Sequence, residues 1–167
     1  MGYFSTIISA VATACAYHWI GPLSIVTLLP LCALQTITYR HLWLWGTIYM
    51  GLLHLFFLNL HTFSSIPIAV ALWLLVTLTY GAIYGLVPWL LQRLQPHWKH
   101  YHYLPITWML IETIKGLSIF GNPNGNLGYA FGDIVNYLPI YSIIGVIGMS
   151  GLIVLLNIWL LNILRNQ

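Results

Sequence analysis

Glu112 and Lys115 are the residues of this chain best suited to chemistry, because they are ionisable groups set inside the otherwise uncharged apolar stretch 104–120. Three residues apart, they share a helix face and can pair. A Lys or Asp at the centre of a spanning helix costs roughly 2.5 to 3.5 kcal/mol on insertion scales, so a carboxylate there takes a partner or faces a polar cavity. Directly beyond, Gly121, Asn122, Pro123, Asn124, Gly125 and Asn126 break the helix. Backbone of that kind is tolerated at membrane depth only where protein or water satisfies it. Two uses are open. The pair clamps its helix to neighbouring helices, or it lines a polar pocket for a phospholipid head group or a peptide. In the second case Lys115 offers a phosphate contact, and Gly121, Gly125 and Gly128 permit close backbone approach.

Other chemistry finds little support. Asp133 is the only further acid and lies in the following loop, so no paired acid and base forms. Ser118, Ser142 and Ser150 stand outside any GxSxG elbow. Cys15 and Cys32 fall in apolar segments with no CxxC spacing and read as structural thiols. His54 and His61, seven apart on one expected helix, sit two turns from each other, too far to chelate one ion alone. His97, His100 and His102 belong to an interfacial linker without a carboxylate. The expectation is no catalytic residue, no metal and no cofactor.

The elements that must hold these groups follow from composition. With 4% charged and 60% hydrophobic residues among 167, and a mean hydropathy of +0.87, the chain is an integral membrane protein. Its net charge of +3 rests on five scattered Lys and Arg, which excludes a nucleic-acid surface. The start, 4–18, lacks a basic leader and reads as a retained helix. Hydrophobic runs predict an all-α single transmembrane domain, 1–167, of about six helices over 4–18, 22–37, 42–60, 66–91, 104–120 and 140–164. A polar linker occupies 92–103, and the outer loop 121–139 is expected to be re-entrant. Placing both termini in the cytoplasm gathers Arg40, Arg93, Lys99 and Arg165 there and leaves only Lys115 opposite. On the last helix Gly145, Gly148, Ser150 and Gly151 form a small-residue face suited to packing against the helix that carries Glu112, or against another subunit.

Taken together these features resemble the membrane domain of bacterial apolipoprotein N-acyltransferase. Pro105, Trp108, Glu112 and Lys115 match that family's helix of Pro, Trp, Glu and Arg, with Lys115 in place of the Arg. Gly121, Pro123, Leu127, Gly128 and Tyr129 match its GFPW-type turn and LGY, with Asn122 and Asn124 replacing the two aromatics. Gly145, Val146, Gly148, Ser150 and Asn157 match a GVYGxS-like helix. HWIGPLSIVTLLPLCAL at 18–34 is similar to the early Trp and Pro pattern, and Thr62, Phe63 and Pro67 fall at an outer turn. The resemblance implies a lipid- or partner-binding set of Trp108, Glu112, Lys115, Gly121, Pro123, Asn124, Gly128 and Tyr129, in a bacterial inner membrane.

In that family a nitrilase-like domain with a Glu, Lys and Cys catalytic set follows the membrane part. The sequence stops at Gln167 without one. The resemblance therefore implies a non-catalytic, multi-pass subunit that binds phospholipid and a membrane or periplasmic protein, a lipoprotein or an envelope complex. The alternative is the membrane half of a split acyltransferase whose catalytic domain is a separate chain.

Overall fold

A chain in hydrocarbon must satisfy its backbone internally, and helices do so without a partner segment. The computed structural model describes residues 2–19, 23–34, 37–94, 100–117, 121, 124–130 and 139–166, and among these all regular structure is helical. The α-helices are α1 (Gly2–Trp19), α2 (Ser24–Thr27), α3 (Leu29–Cys32), α4 (Tyr39–Leu53), α5 (Ile66–Leu94), α6 (His100–Leu117) and α7 (Ile140–Arg165). A 3₁₀ segment, Leu55–Thr62, continues α4. Among the described residues three stretches are long and apolar enough to cross a membrane: Tyr39–Thr62, Ile66–Leu94 and Ile140–Arg165.

The helix α5 shows why lipid is the right solvent. Its buried face carries Thr77, Tyr80, Gly81, Tyr84 and Gly85, whereas its exposed face carries Leu72, Leu74, Leu75, Leu78, Leu86 and Leu90. The apolar side faces outward, the reverse of a water-soluble helix. Against its inner side lies α4, its most extensive neighbour. Gly46 meets Tyr84 and Gly81 meets Thr47 so closely that a Cβ at either glycine would overlap the facing residue. Small residues thus set the helix spacing where dispersion drives association.

Two expected helices are interrupted. The segment 22–37 is not one helix but the short α2 and α3, broken at Leu28. Pro30 has no N–H to give Val26, so the Leu28 N–H bonds the Val26 carbonyl in a tighter turn. The Thr27 carbonyl is taken instead by Ser9 Oγ at 2.8 Å, and Ser9 in turn accepts Trp45 Nε1 at 3.1 Å. Thr13 Oγ1 adds a 3.0 Å bond to Thr27 Oγ1, so a hydroxyl cluster joins α1, α2 and α4. The helix expected over 42–60 ends as α-helix at Leu53, and His54, buried beside Tyr80, starts the 3₁₀ turn. His54 and the exposed His61 therefore do not share a helical face.

The ends of the bundle sort by charge. Gly2 abuts His41, Gln92 bonds the Ile37 carbonyl and Tyr103, and Arg165 bonds the Ala33 carbonyl at 2.7 Å. Arg40, Arg93 and Arg165 thereby share one end, and Lys115 lies at the other. The polar linker is shorter than expected, since α5 runs to Leu94 and α6 starts at His100. His97, Lys99, Asn122, Pro123, Asp133 and Ser118 fall outside the described residues.

Candidate functional site

The last three turns of α6 present Trp108, Glu112 and Lys115 on one side, all fully buried. Their polar atoms do not close on one another as an isolated ion pair. Lys115 Nζ donates to the Asn124 carbonyl at 3.0 Å, and Glu112 Oε1 accepts the Leu127 N–H at 2.8 Å and Trp108 Nε1 at 3.2 Å. The later helix residue thus bonds the earlier loop residue, so the segment 124–128 runs back alongside α6. The ammonium of Lys115, above the Tyr84 ring at 6.0 Å, is enclosed and not offered to the surface as a phosphate contact.

Three other helices, α1, α4 and α7, also hold it. Tyr17 of α1 donates to Asn124 Oδ1 at 3.3 Å and accepts the Gly125 N–H at 3.2 Å. From α4, Tyr49 donates to the Gly125 carbonyl at 3.0 Å. Ser150 of α7 accepts the Gly128 N–H at 2.7 Å, and the Tyr141 hydroxyl donates to the Gly128 carbonyl. Gly125 has φ +76, and a side chain there would also run into Leu53. The segment is a buried strap held by side chains, the condition for non-helical backbone in a membrane.

Beside the strap lies a cavity of about 410 Å³ between α6, the strap and the first turns of α7. Glu112, Asn126, Tyr129, Gly145 and Val146 line it. Two buried acceptors here, Glu112 Oε2 and Asn126 Oδ1, find no donor in hydrogen-bond geometry among the described residues, although the Ser150 hydroxyl lies beside the Glu112 carboxyl. An unsatisfied buried polar atom costs about 1–3 kcal/mol, and more when charged. The wall opposite Glu112 exists because α7 kinks at Gly145, whose φ of +65 and ψ of −176 leave the helical region. Tyr129, 46% exposed, stands at the rim. The arrangement is a largely apolar recess with two buried acceptors in its wall, which suits a group that carries donors, such as an amine or ammonium.

The sequence-derived residues divide accordingly. Trp108, Glu112, Lys115, Asn124 and Gly128 come together in the strap contact, and Tyr129 borders the cavity. Gly121, at φ 36, is exposed outside the strap and lines a second cavity with Phe56, Phe57 and Tyr80, and Pro123 is outside the described residues. Of the expected packing face, Gly151 presses on Met109 of α6 and Ser150 holds the strap. Gly148 lies against Ile144 of its own helix. Gly145 does not pack at all, since a Cβ there would meet nothing within 4 Å, and it serves as the kink instead. Sequence reasoning missed Tyr17, Tyr49, Asn126 and Tyr141. A tyrosine within an apolar helix is the one signal that pointed to the first two.

Comparison with curated proteins finds no match to this chain. The pattern that defines the apolipoprotein N-acyltransferase N-terminal domain matches residues 7–159 and so takes in every strap contact described above. This all-helical membrane chain belongs to the apolipoprotein N-acyltransferase N-terminal domain family.

Proposed function

We propose that this chain is a binding subunit of the inner membrane, a member of the acyltransferase family that holds an amine-bearing lipid or lipoprotein terminus rather than making or breaking its bonds. The observation that carries this reading is Glu112 Oε2, buried with no donor among the described residues in the wall of a cavity of about 410 Å³. The head group of phosphatidylethanolamine, or the amino terminus of a lipoprotein, supplies the N–H donors that this oxygen and Asn126 Oδ1 lack. Ser150, the hydroxyl nearest this carboxyl group, is occupied by Gly128 and by the Val146 carbonyl, so it supports the strap and not an attack on substrate. A periplasmic or membrane protein partner then receives or presents the bound molecule.

The second reading, favoured by the family match itself, makes the chain the lipid-holding half of a split N-acyltransferase whose nitrilase-like part is another polypeptide. One experiment addresses both. The chain is purified in mild detergent and titrated with phosphatidylethanolamine and its N-acetylated derivative, with bound lipid counted by native mass spectrometry. Retention of the free amine over the acetylated lipid, lost in Glu112→Gln, is the expected result, and equal retention of both removes the amine site. Co-purification with a nitrilase-like chain, and acyl transfer dependent on both chains, selects the split enzyme.

A further inference from the structure

At the opposite end of the bundle, α4 and α5 enclose a groove of about 390 Å³ with an almost wholly apolar wall. Tyr39, Trp43 and Trp89 form its sides, and Ala82 and Gly85 its floor. The floor is low because Gly85 sits directly against Trp43, where a Cβ would come within 2.9 Å of the tryptophan's own Cβ. The groove is open along its flank, as Trp43 is 45% and Leu86 60% exposed. A volume of this size falls in the range of small-ligand sites.

Two cations lie against aromatic rings of its wall. The Arg93 guanidinium lies 4.6 Å above the Trp89 ring, and that of Arg40 lies 5.8 Å from the Tyr39 ring. Both rings line the groove, so each charge sits beside one of its aromatic walls, Arg40 on α4 and Arg93 on α5. Each arginine side chain is exposed. The chain has only two acidic side chains to answer them, Glu112 and Asp133. Glu112 is buried in the strap contact at the far end of α6, and the sequence puts Asp133 in the loop that follows that end. No acidic side chain among the described residues stands beside Arg40 or Arg93.

We propose that this groove is a binding site for one anionic phospholipid, its phosphate held between Arg40 and Arg93 and an acyl chain laid between Trp43 and Leu86. Charge complementarity selects the head group, because a guanidinium offers planar paired donors to a phosphate. The basic end is the one that the distribution of Lys and Arg assigns to the cytoplasm, where the leaflet is anionic and basic pockets between helices take acidic lipids. The site is separate from the recess beside the strap and does not rest on it. One face of the bundle reads a cationic head group and the other an anionic one.

The test uses the full chain in detergent, titrated with phosphatidylglycerol or phosphatidylethanolamine of identical acyl chains and observed by native mass spectrometry. The expected result is one phosphatidylglycerol retained under conditions where an excess of phosphatidylethanolamine does not displace it. Arg40→Gln with Arg93→Gln lowers its occupancy at least about tenfold, equivalent to about 1.4 kcal/mol. Leu86→Trp, which fills the flank of the groove and leaves both arginines, lowers it likewise. Circular dichroism and a single monodisperse peak establish that both variants fold. Retention that ignores head-group charge, or survives the double arginine substitution, overturns the proposal. So does loss with the arginines but not with Leu86→Trp, which leaves surface ion pairing without a groove. A dimer of this chain that disappears in Leu86→Trp also overturns it, by giving the groove to a second copy.

Discussion

Glu112 of α6 accepts the main-chain N–H of Leu127 at 2.8 Å through one carboxyl oxygen and leaves the other without a donor among the described residues. One atom fixes the strap and its twin lies buried in the cavity wall, so the structural role and the proposed binding role fall on a single side chain. They can be separated. In Glu112→Gln the amide oxygen still accepts from Leu127 and Trp108, so thermal unfolding in detergent should stay within a few degrees of the wild type while retention of phosphatidylethanolamine falls about tenfold. In Glu112→Ala both donors are stranded, and stability should fall by about 1–3 kcal/mol for each.

Ser150 tests the strap from the other side. Replacing it by Ala removes the acceptor of the buried Gly128 N–H and leaves the cavity wall intact. A loss of about 1–3 kcal/mol is expected, read as a lower melting temperature and faster hydrogen exchange at Gly128.

Two glycine substitutions should move in opposite directions. Gly125→Ala places a side chain at φ +76 against Leu53 and should destabilise by at least about 1–3 kcal/mol. Gly116→Ala lies in helical backbone with nothing within 4 Å and should stabilise by about 0.4–1 kcal/mol. Paired melting curves in one detergent check both. A Gly125→Ala protein as stable as the wild type contradicts the strap geometry.

The kink of α7 makes a separate prediction. Gly145→Ala meets no steric neighbour but is strained at φ +65, so the helix either carries a strain of about 1–3 kcal/mol or straightens across the cavity. Straightening removes the wall opposite Glu112. Phosphatidylethanolamine retention should fall even where the melting temperature changes little.

What the sequence made legible follows the range of the physics. Helices in lipid are local, and hydropathy located α5 and α7 to within a few residues at either end. The charged pair was visible because two ionisable groups in an apolar run are costly wherever the chain goes. Pro30 marks the break at Leu28, but the capture of the Thr27 carbonyl by Ser9, eighteen residues away, was not legible. Nor was the destination of Lys115. Spacing on one helix put Glu112 and Lys115 side by side, and it gave no sign that both are also met by a loop whose approach is set by Tyr17, Tyr49 and Ser150 on three other helices. The glycines of α7 looked alike in sequence, and only their neighbours distinguish Gly151, a contact, from Gly145, a bend.

The strap also constrains the order in which the protein is built. Its bonds reach back to Tyr17, 107 residues before Asn124, and forward to Ser150, 22 residues beyond Gly128. Until α7 has left the ribosome and inserted, the Gly128 amide has no acceptor, and the half-built bundle carries an acid and an amine whose enclosure is incomplete. The nascent protein therefore passes through a stage in which its least lipid-tolerant groups are open to chaperones and membrane proteases, and the arrival of the final helix ends it.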